Sequence, residues 1–387
     1  MFRTLLSGMQ HLPTPPPVEV LLLQGVDSRR PDGNHALQAF STLRAVSLHE
    51  VPMGQLGRDG VGAARRAMKV VDVARLRRGR HRRYEVAEAF APHLLYSSQQ
   101  RWDQRLAADL ARRLDRPRVV HLHYTVGPWL GDHAVNALRE ADLVLSVSDF
   151  IRDNAVTGGV RADRARTLHN AVQDSADPSE QERLGARARF RSELSLPDDA
   201  LIVGMVARLS VSKCQVELLQ AMVPLMRQSA ATHLVLAGQE YPRGNGLATR
   251  LAEAAADAGV SRQVHLLGQR GDVPALLDAL DVFAHPTRQE PCALSVLEAM
   301  AHSLPVVAWR EGGTAELVDD TCTGVLVPPM DVNGLSGALG GLLADPALRE
   351  ALGRAGRARA REMFRPPEAS ERFLELLEGV AGRVSKR

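Results

Sequence analysis

The sequence is poor in cysteine, in aromatic residues and in long apolar runs. Its three cysteines, Cys214, Cys292 and Cys322, are odd in number and form no Cys-X-X-Cys pair, which argues against a disulfide framework or a zinc site. No stretch approaches the roughly 18 consecutive apolar residues that a membrane span needs. The first residues also lack the basic start, apolar run and cleavage site of a secretory signal, so we expect a cytoplasmic protein.

Lysine is scarce as well, since only Lys69, Lys213 and Lys386 occur among 48 basic residues. This bias toward arginine indicates a GC-rich genome, as in actinobacteria. A lysine that falls at a motif position is therefore less easily explained by chance.

The basic charge is concentrated in residues 58–83, where ten basic and two acidic residues give a net charge of +8 in a chain whose total is +3. Such a segment fits a solvated helix face, a phosphorylated substrate, or peripheral contact with the inner face of a membrane. Tyr84 is the one aromatic residue beside it, so stacking on nucleic-acid bases is the weakest interpretation. We expect no nucleic-acid partner.

Short apolar runs alternate with longer amphipathic stretches, which is the pattern of parallel sheets flanked by helices. Nine runs are predicted strands: residues 18–23, 93–98, 118–125, 143–148, 201–207, 233–238, 264–268, 282–286 and 305–309. The predicted fold class is α/β, with two Rossmann-like, doubly wound parallel-sheet domains that face a cleft. Ligands of such sheets bind outside the carboxyl ends of the strands, so the loops there form the candidate site.

A polar segment without a predicted strand, residues 173–200, separates the two sets of strands. We expect an N-terminal domain over residues 1–175, with a disordered lead-in at 1–17, and a C-terminal domain over 176–362. Residues 363–387 are helical in pattern, and we expect this last helix to pack back on the N-terminal domain.

Two glutamates, Glu290 and Glu298, lie in the sequence RQEPCALSVLEAM after one predicted strand. Proline is favoured at the first helical position, so Pro291 predicts a helix that begins there, with Glu290 at its mouth. Glu298 would then lie roughly 10 Å further along the axis. Paired glycosidase carboxylates lie about 5 to 9.5 Å apart, so these two are predicted to contact an elongated ligand at two points. The alternative is a capping glutamate and an exposed one.

Two cations, Arg208 and Lys213, follow another predicted strand in the sequence VARLSVSK. A guanidinium fork and a compact ammonium in a strand–helix loop suit a diphosphate. Glycines at the ends of two further strands, Gly238 in AGQE and the pair in WREGGTAEL, leave room for a ligand to approach.

These segments, with ALDVFAHPTRQEPCALSVLEAM and TGVLVPPMDVNGL, resemble in order and spacing the family 4 glycosyltransferases, which are retaining, metal-independent enzymes of the GT-B fold. The resemblance implies that Arg208 and Lys213 hold the donor diphosphate, that Glu290 binds the donor sugar, and that Glu298 binds the ribose. It further implies two sets of contacts: the backbone amides of Cys292, Ala293 and Leu294 on sugar and phosphate, and Gln269 and Arg270 on the base.

The chain departs from the family pattern at two places. Cys214 stands where the family has glycine after the motif lysine, and Cys292-Ala293 stands where it has Phe-Gly. Because the replacements are small, we expect an altered fit to the sugar rather than lost binding.

In the first half, RPRVVHLHYTVGPW resembles the family strand that carries a cleft histidine, which implies that His123 contacts the donor sugar. His121 shares its strand face and is expected to be a core residue. The resemblance also implies a position near the domain junction for Asn170. Gly25 lies in the first strand–loop, the poorest match to the family, so acceptor recognition stays open.

The sequence therefore predicts a glycosyltransferase that uses a nucleotide-diphosphate sugar, UDP- or dTDP-linked, with retention and with neither metal nor further cofactor. No Asp-X-Asp triplet occurs, which disfavours the metal-dependent GT-A type. The expected acceptor is an aminocyclitol or other secondary metabolite, as in antibiotic biosynthesis, or a lipid-linked or polysaccharide acceptor at the membrane. The other classes considered are a GT-B nucleotide-sugar 2-epimerase and a non-catalytic nucleotide-sugar-binding partner.

Overall fold

The computed structural model describes residues 20–26, 46–52, 84–85, 87–89, 91–98, 101–172 and 180–384. The predicted disordered lead-in at 1–17 and the basic segment at 58–83 lie outside these residues. Among the described residues, no helix combines the length and apolar character needed to cross a bilayer.

The N-terminal half contains two parallel sheets. Strands β1 (Val20–Val26) and β2 (Val46–Pro52) pair with each other. A four-stranded sheet follows in the order β3-β4-β5-β6, with bounds Leu95–Ser98, Arg118–Leu122, Leu143–Ser146 and Ala165–Thr167. Its helices are α1 (Arg101–Leu114), α2 (Asp132–Arg139) and α3 (Asp149–Thr157).

The C-terminal half is built on a six-stranded parallel sheet of order β12-β11-β10-β7-β8-β9. In chain order its strands are β7 (Leu201–Val206), β8 (Thr232–Ala237), β9 (Val264–Gly268), β10 (Val282–His285), β11 (Val306–Trp309) and β12 (Gly324–Val327). The helices are α4 (Glu180–Glu193), α5 (Gln215–Gln228), α6 (Leu247–Asp257), α7 (Val273–Ala279), α8 (Leu294–Ala301), α9 (Thr314–Leu317), α10 (Val332–Ala344), α11 (Pro346–Met363) and α12 (Pro366–Val384).

Strand β7 lies inside the six-stranded sheet, with β8 and β9 on one side and β10 to β12 on the other. The chain therefore reverses its direction of travel across the sheet beside β7. In doubly wound sheets this switch point opens a crevice at the carboxyl ends of the strands. The loops after β7 and β10 border that crevice, and they carry Lys213 and Glu290.

The predicted parallel α/β architecture is confirmed, and all nine predicted strands occur. Among the described residues, three strands were missed: β2, β6 and β12. β2 contains His49, Glu50 and Pro52, which break the apolar pattern, and β6 has only three residues. Strand β4 ends at Leu122 instead of residue 125, so His123 lies just beyond the carboxyl end of the strand.

The last two helices connect the halves. Helix α11 ends at Met363, and the N–H of Val172 donates to the carbonyl of Phe364 at 2.9 Å. Helix α12 then buries Phe373 and Val380 against apolar residues of β4 and β5, among them Val119 and Leu145. The C-terminal helix is thus part of the core of the N-terminal sheet.

Candidate active site

The central feature of the site is an ion pair between the loops that follow β7 and β10. Lys213 ends a short 3-10 helix at Val211–Lys213, and its Nζ donates to Oε2 of Glu290. The two side chains are only 17% and 13% exposed. Sequence reasoning selected both residues but assigned them to different parts of a ligand, whereas here each is the partner of the other.

The Glu290 carboxylate is held in its ionised form by its neighbours. Burial works to raise its pKa, but Lys213, His285 and Arg208 together outweigh burial, so the pKa lies below its ordinary value. The Nε2 atom of His285 lies 3.9 Å from Oε2 of Glu290. Burial lowers the pKa of His285 to about 4, so this imidazole is neutral at pH 7. Arg208, Lys213 and Glu290 then carry one net positive charge.

The glutamate loop differs from the prediction in where its helix begins. Helix α8 starts at Leu294 with Ala293 as its N-cap, so the prediction that Pro291 is the first helical residue is wrong. The physical reason is a hydrogen bond of 2.7 Å from the N–H of Gly313 to the carbonyl of Glu290, which holds this stretch out of the helix. Within the described part of the chain, the N–H groups of Cys292, Ala293 and Leu294 have no acceptor.

The glycines at the strand ends make room for backbone. A Cβ on Gly313 would lie 2.0 Å from the carbonyl oxygen of Pro291, and one on Gly312, where φ is +64°, would lie 2.6 Å from that of Glu290. At Gly238, with φ +149°, a Cβ would lie 1.9 Å from the carbonyl oxygen of Ala207. The reason for these glycines is therefore close packing of the site loops on one another.

Arg208 is exposed, and its guanidinium lies over the ring of Tyr241, 4.3 Å from the centroid. Cys214, the departure after the motif lysine, has φ +56° and ψ +40°, the left-handed conformation that favours glycine. Its side chain is 3% exposed, and burial raises the pKa of its thiol to about 12. The cysteine therefore keeps the loop conformation as a neutral, buried residue.

The three residues predicted to contact the nucleoside have different surroundings in the structure. Glu298 is half-buried on α8, and burial raises the pKa of its carboxyl. Arg270 is committed to carboxylates within its own domain: its Nε donates to Asp272 at 2.8 Å and one terminal nitrogen donates to Glu193 at 3.1 Å. Gln269 is exposed beside it.

The two histidines of the N-terminal domain differ as predicted in their surroundings. His121 is fully buried, and its Nδ1 lies 2.7 Å from the hydroxyl of Tyr96. His123 is partly exposed beyond the strand end, with its ring 4.5 Å from that of His121. Burial lowers the pKa of His123 to about 4, so it is a neutral hydrogen-bonding group at pH 7.

Asn170 lies at the junction of the two halves. Burial raises the pKa of the Cys292 thiol to about 12, against the effect of hydrogen bonds from the Asn170 backbone and side chain. These bonds join the end of the N-terminal domain to the loop that follows Glu290. Gly25 lies within β1 opposite Val51, inside a strand and not in the loop after it.

Sequence reasoning missed His285 and Tyr241. His285 is the last residue of β10, at the strand end that the doubly wound pattern marks, so its position was a usable signal. Tyr241 gave no signal, because its contact with Arg208 depends on two loops that are distant in sequence.

The buried histidine beside Glu290 makes stability depend on pH. The pKa of His285 is about 4 in the folded protein, below the roughly 6.5 of an unfolded chain, so the unfolded state gains a proton first as pH falls. We expect this one residue to lower the free energy of unfolding by about 2 kcal/mol between pH 7 and pH 5. Glu290, whose pKa is lowered, stays ionised in that window.

Urea unfolding at both pH values measures this effect in the wild type, in His285→Gln and in His133→Gln, an exposed histidine on α2. The pH-dependent loss should shrink by about 2 kcal/mol in His285→Gln and stay unchanged in His133→Gln. An unchanged loss in His285→Gln would show that this histidine is not held neutral.

Comparison with known proteins defines the class. Residues 186–359 match the model of glycosyl transferases group 1. The chain is 34% identical over 295 residues to the GDP-mannose-dependent alpha-(1-6)-phosphatidylinositol monomannoside mannosyltransferase of Mycolicibacterium smegmatis, covering 71% of this chain and 73% of that protein. The chain therefore belongs to the glycosyl transferases group 1, and the prediction of a glycosyltransferase is confirmed.

A second relative matches over a shorter region. The D-inositol 3-phosphate glycosyltransferase of Saccharomonospora viridis is 33% identical over 217 residues. These residues cover 53% of this chain and 50% of that protein. Among solved structures, Anabaena HepE in complex with UDP and glucose superposes with a TM-score of 0.73 at 22% identity, over 92% of this chain and 91% of that one. The likeness confirms the GT-B fold.

Proposed function

We propose that this protein transfers a sugar from a nucleoside-diphosphate sugar to a hydroxyl group of an inositol-containing acceptor. The observation that carries the proposal is the buried Lys213–Glu290 pair beside Arg208 at the switch point of the C-terminal sheet. This set offers two cations to a diphosphate and an ionised carboxylate to sugar hydroxyls. The two sequence relatives, whose names specify phosphatidylinositol monomannoside and D-inositol 3-phosphate, support the acceptor class.

Catalysis in this proposal is electrostatic. As the bond between the sugar and the diphosphate breaks, Arg208, Lys213 and the N–H groups before α8 stabilise the charge that develops on the leaving diphosphate. Glu290 holds donor-sugar hydroxyls, and the neutral His123 donates or accepts one hydrogen bond at the sugar. The acceptor hydroxyl attacks from the face that the diphosphate leaves, with the leaving phosphate as base, which gives retention. Glu298 binds the ribose.

The sequence-based expectation and the mannosyltransferase relative point to different donor nucleotides. The sequence pattern favoured a UDP- or dTDP-sugar, whereas the mannosyltransferase relative is named for GDP-mannose. The side chain of Arg270 is paired with Asp272 and Glu193, so base selection would rest on Gln269 and on backbone around it. A donor screen separates the two choices.

A thermal-shift screen with UDP-, dTDP-, GDP- and ADP-sugars tests donor binding. A donor at 100 times its Kd stabilises the folded state by about 2.7 kcal/mol, so we expect one nucleotide class to raise the Tm by several degrees. The matching nucleoside, which lacks the diphosphate, is the control and should leave the Tm unchanged.

Product analysis with that donor and with inositol 3-phosphate or phosphatidylinositol tests transfer. A glycosylated product supports the proposal, and its distribution between the soluble and the lipid acceptor identifies the acceptor. Epimerised donor without transfer would establish the 2-epimerase, and donor binding without turnover on either acceptor would establish a non-catalytic binding protein.

A further inference from the structure

A carboxylate of the C-terminal domain reaches across to the N-terminal domain. Glu316, on α9, accepts hydrogen bonds from the backbone N–H of Asp149 at 2.8 Å and from that of Phe150 at 2.7 Å. Its Oε2 also lies 2.9 Å from Nε2 of His169. The Glu316 side chain is only 22% exposed. One side chain therefore makes three polar contacts with the other half of the molecule.

These contacts complete the N-terminus of helix α3. The first N–H groups of a helix have no partner within it, and they carry the positive end of the helix dipole. Ser148, the N-cap, accepts from the N–H of Ile151 at 3.2 Å, and Glu316 satisfies the N–H groups of Asp149 and Phe150. A negatively charged cap is thus supplied by a residue more than 160 positions away in the chain.

The same short segment holds the glutamate loop of the site. Gly313, three residues before Glu316, donates to the carbonyl of Glu290 at 2.7 Å. A Cβ on Gly313 would lie 2.9 Å from Cβ of Ser148, so this segment is packed between the site loop and the start of α3. Arg359 secures its far end by donating to the carbonyl oxygens of Glu316 and Leu317.

We propose that Glu316 is a positioning residue that fixes the N-terminal domain over the donor site. Through α3 and His169 it sets the placement of His123 and Asn170 relative to Glu290, and it touches no substrate itself. The inference rests on the proposed function, because the geometry that it fixes is the geometry of transfer from the donor site to an acceptor.

The kinetic test compares Glu316→Ala and Glu316→Gln with Glu350→Ala, which removes an exposed glutamate paired with Arg354 in the same domain. For Glu316→Ala we expect kcat/KM for the acceptor to fall at least tenfold while the Kd of the free nucleoside diphosphate changes less than threefold. Glu316→Gln retains an accepting oxygen and should recover at least a third of the activity. Glu350→Ala should behave as wild type.

Hydrogen exchange provides a readout that does not depend on activity. The amides of Asp149 and Phe150 should exchange at least tenfold faster in Glu316→Ala and at the wild-type rate in Glu350→Ala. Unchanged exchange in Glu316→Ala, or an equal loss of nucleotide affinity and of acceptor kcat/KM, would overturn the inference. If exchange is faster in Glu316→Ala but the wild type itself transfers no sugar, the interdomain contact is supported and the proposed function is refuted.

Discussion

Lys213→Ala is expected to lower kcat/KM for sugar transfer by about a thousandfold. Removing one donor that stabilises developing charge costs roughly 100- to 1,000-fold. In the proposed function Lys213 is such a donor, and in the structure it is also the partner that keeps Glu290 ionised and oriented. The variant should also lose about 3 kcal/mol of stability, because Glu290, 13% exposed, is left as a largely buried charge without its partner.

The double variant Lys213→Ala/Glu290→Gln separates the two effects. It removes the uncompensated charge, so we expect most of the lost stability to return while transfer stays as low as in Lys213→Ala or lower. Urea unfolding and initial rates on the same preparations measure both. Arg354→Ala, which breaks the exposed pair with Glu350, is the matched control and should cost less than about 1 kcal/mol without loss of activity. If the double variant regains activity together with stability, the Lys213–Glu290 pair has only a structural role.

Gly313→Ala is expected to lower kcat/KM at least about a hundredfold, the order of effect that misplaced catalytic groups produce. The new Cβ would lie 2.0 Å from the carbonyl oxygen of Pro291, so the two backbone segments must separate, and the placement of Glu290 relative to Lys213 changes with them. Initial rates per folded protein and the Tm are the measurements.

Gly353→Ala is a closely matched control, because its Cβ would also lie 2.0 Å from a carbonyl oxygen, that of Ser303 just after the C-terminal end of α8. Both variants should be destabilised to a similar degree, but only Gly313→Ala should lose catalysis in its folded fraction. Equal activity losses in the two would mean that the Gly313 contact affects folding alone. If neither variant accumulates as folded protein at the usual expression temperature, the same two variants expressed and assayed at reduced temperature repeat the comparison.

The strands that frame the site could be read from the sequence because they are nearly continuous apolar runs, with the four inner residues of β7 and all of β10 buried. The strand-end positions of Lys213 and Glu290 followed from these strands, and they lie in contact in the structure. The start of α8 could not be read, because Pro291 favours a helix locally while the bond from Gly313 to Glu290 holds the loop outside the helix. The hydrogen bond from Gly313, which is distant in sequence, therefore outweighs the local helix preference of Pro291.

Sequence reasoning placed the last helix on the N-terminal domain, but the contact of Glu316 with that domain was beyond it. Glu316 lies in a short helix of four residues, with nothing in its neighbourhood to indicate a partner near residue 149. The purpose of the strand-end glycines was likewise hidden, since their role depends on which backbone lies opposite. By contrast, a core role for His121 was expected because a histidine within an apolar strand is more often a core residue, and its burial against Tyr96 agrees with that prediction.

In the proposed function, Lys213 and Glu290 hold a nucleotide sugar for transfer. The most direct measurement follows, by mass spectrometry, the release of nucleoside diphosphate and the formation of glycosylated inositol phosphate or phosphatidylinositol, with wild type, Lys213→Ala and Glu290→Gln in parallel. We predict equal amounts of both products from the wild type and at least a hundredfold less from each variant, with all three proteins folded. Wild-type rates from both variants would contradict the claim.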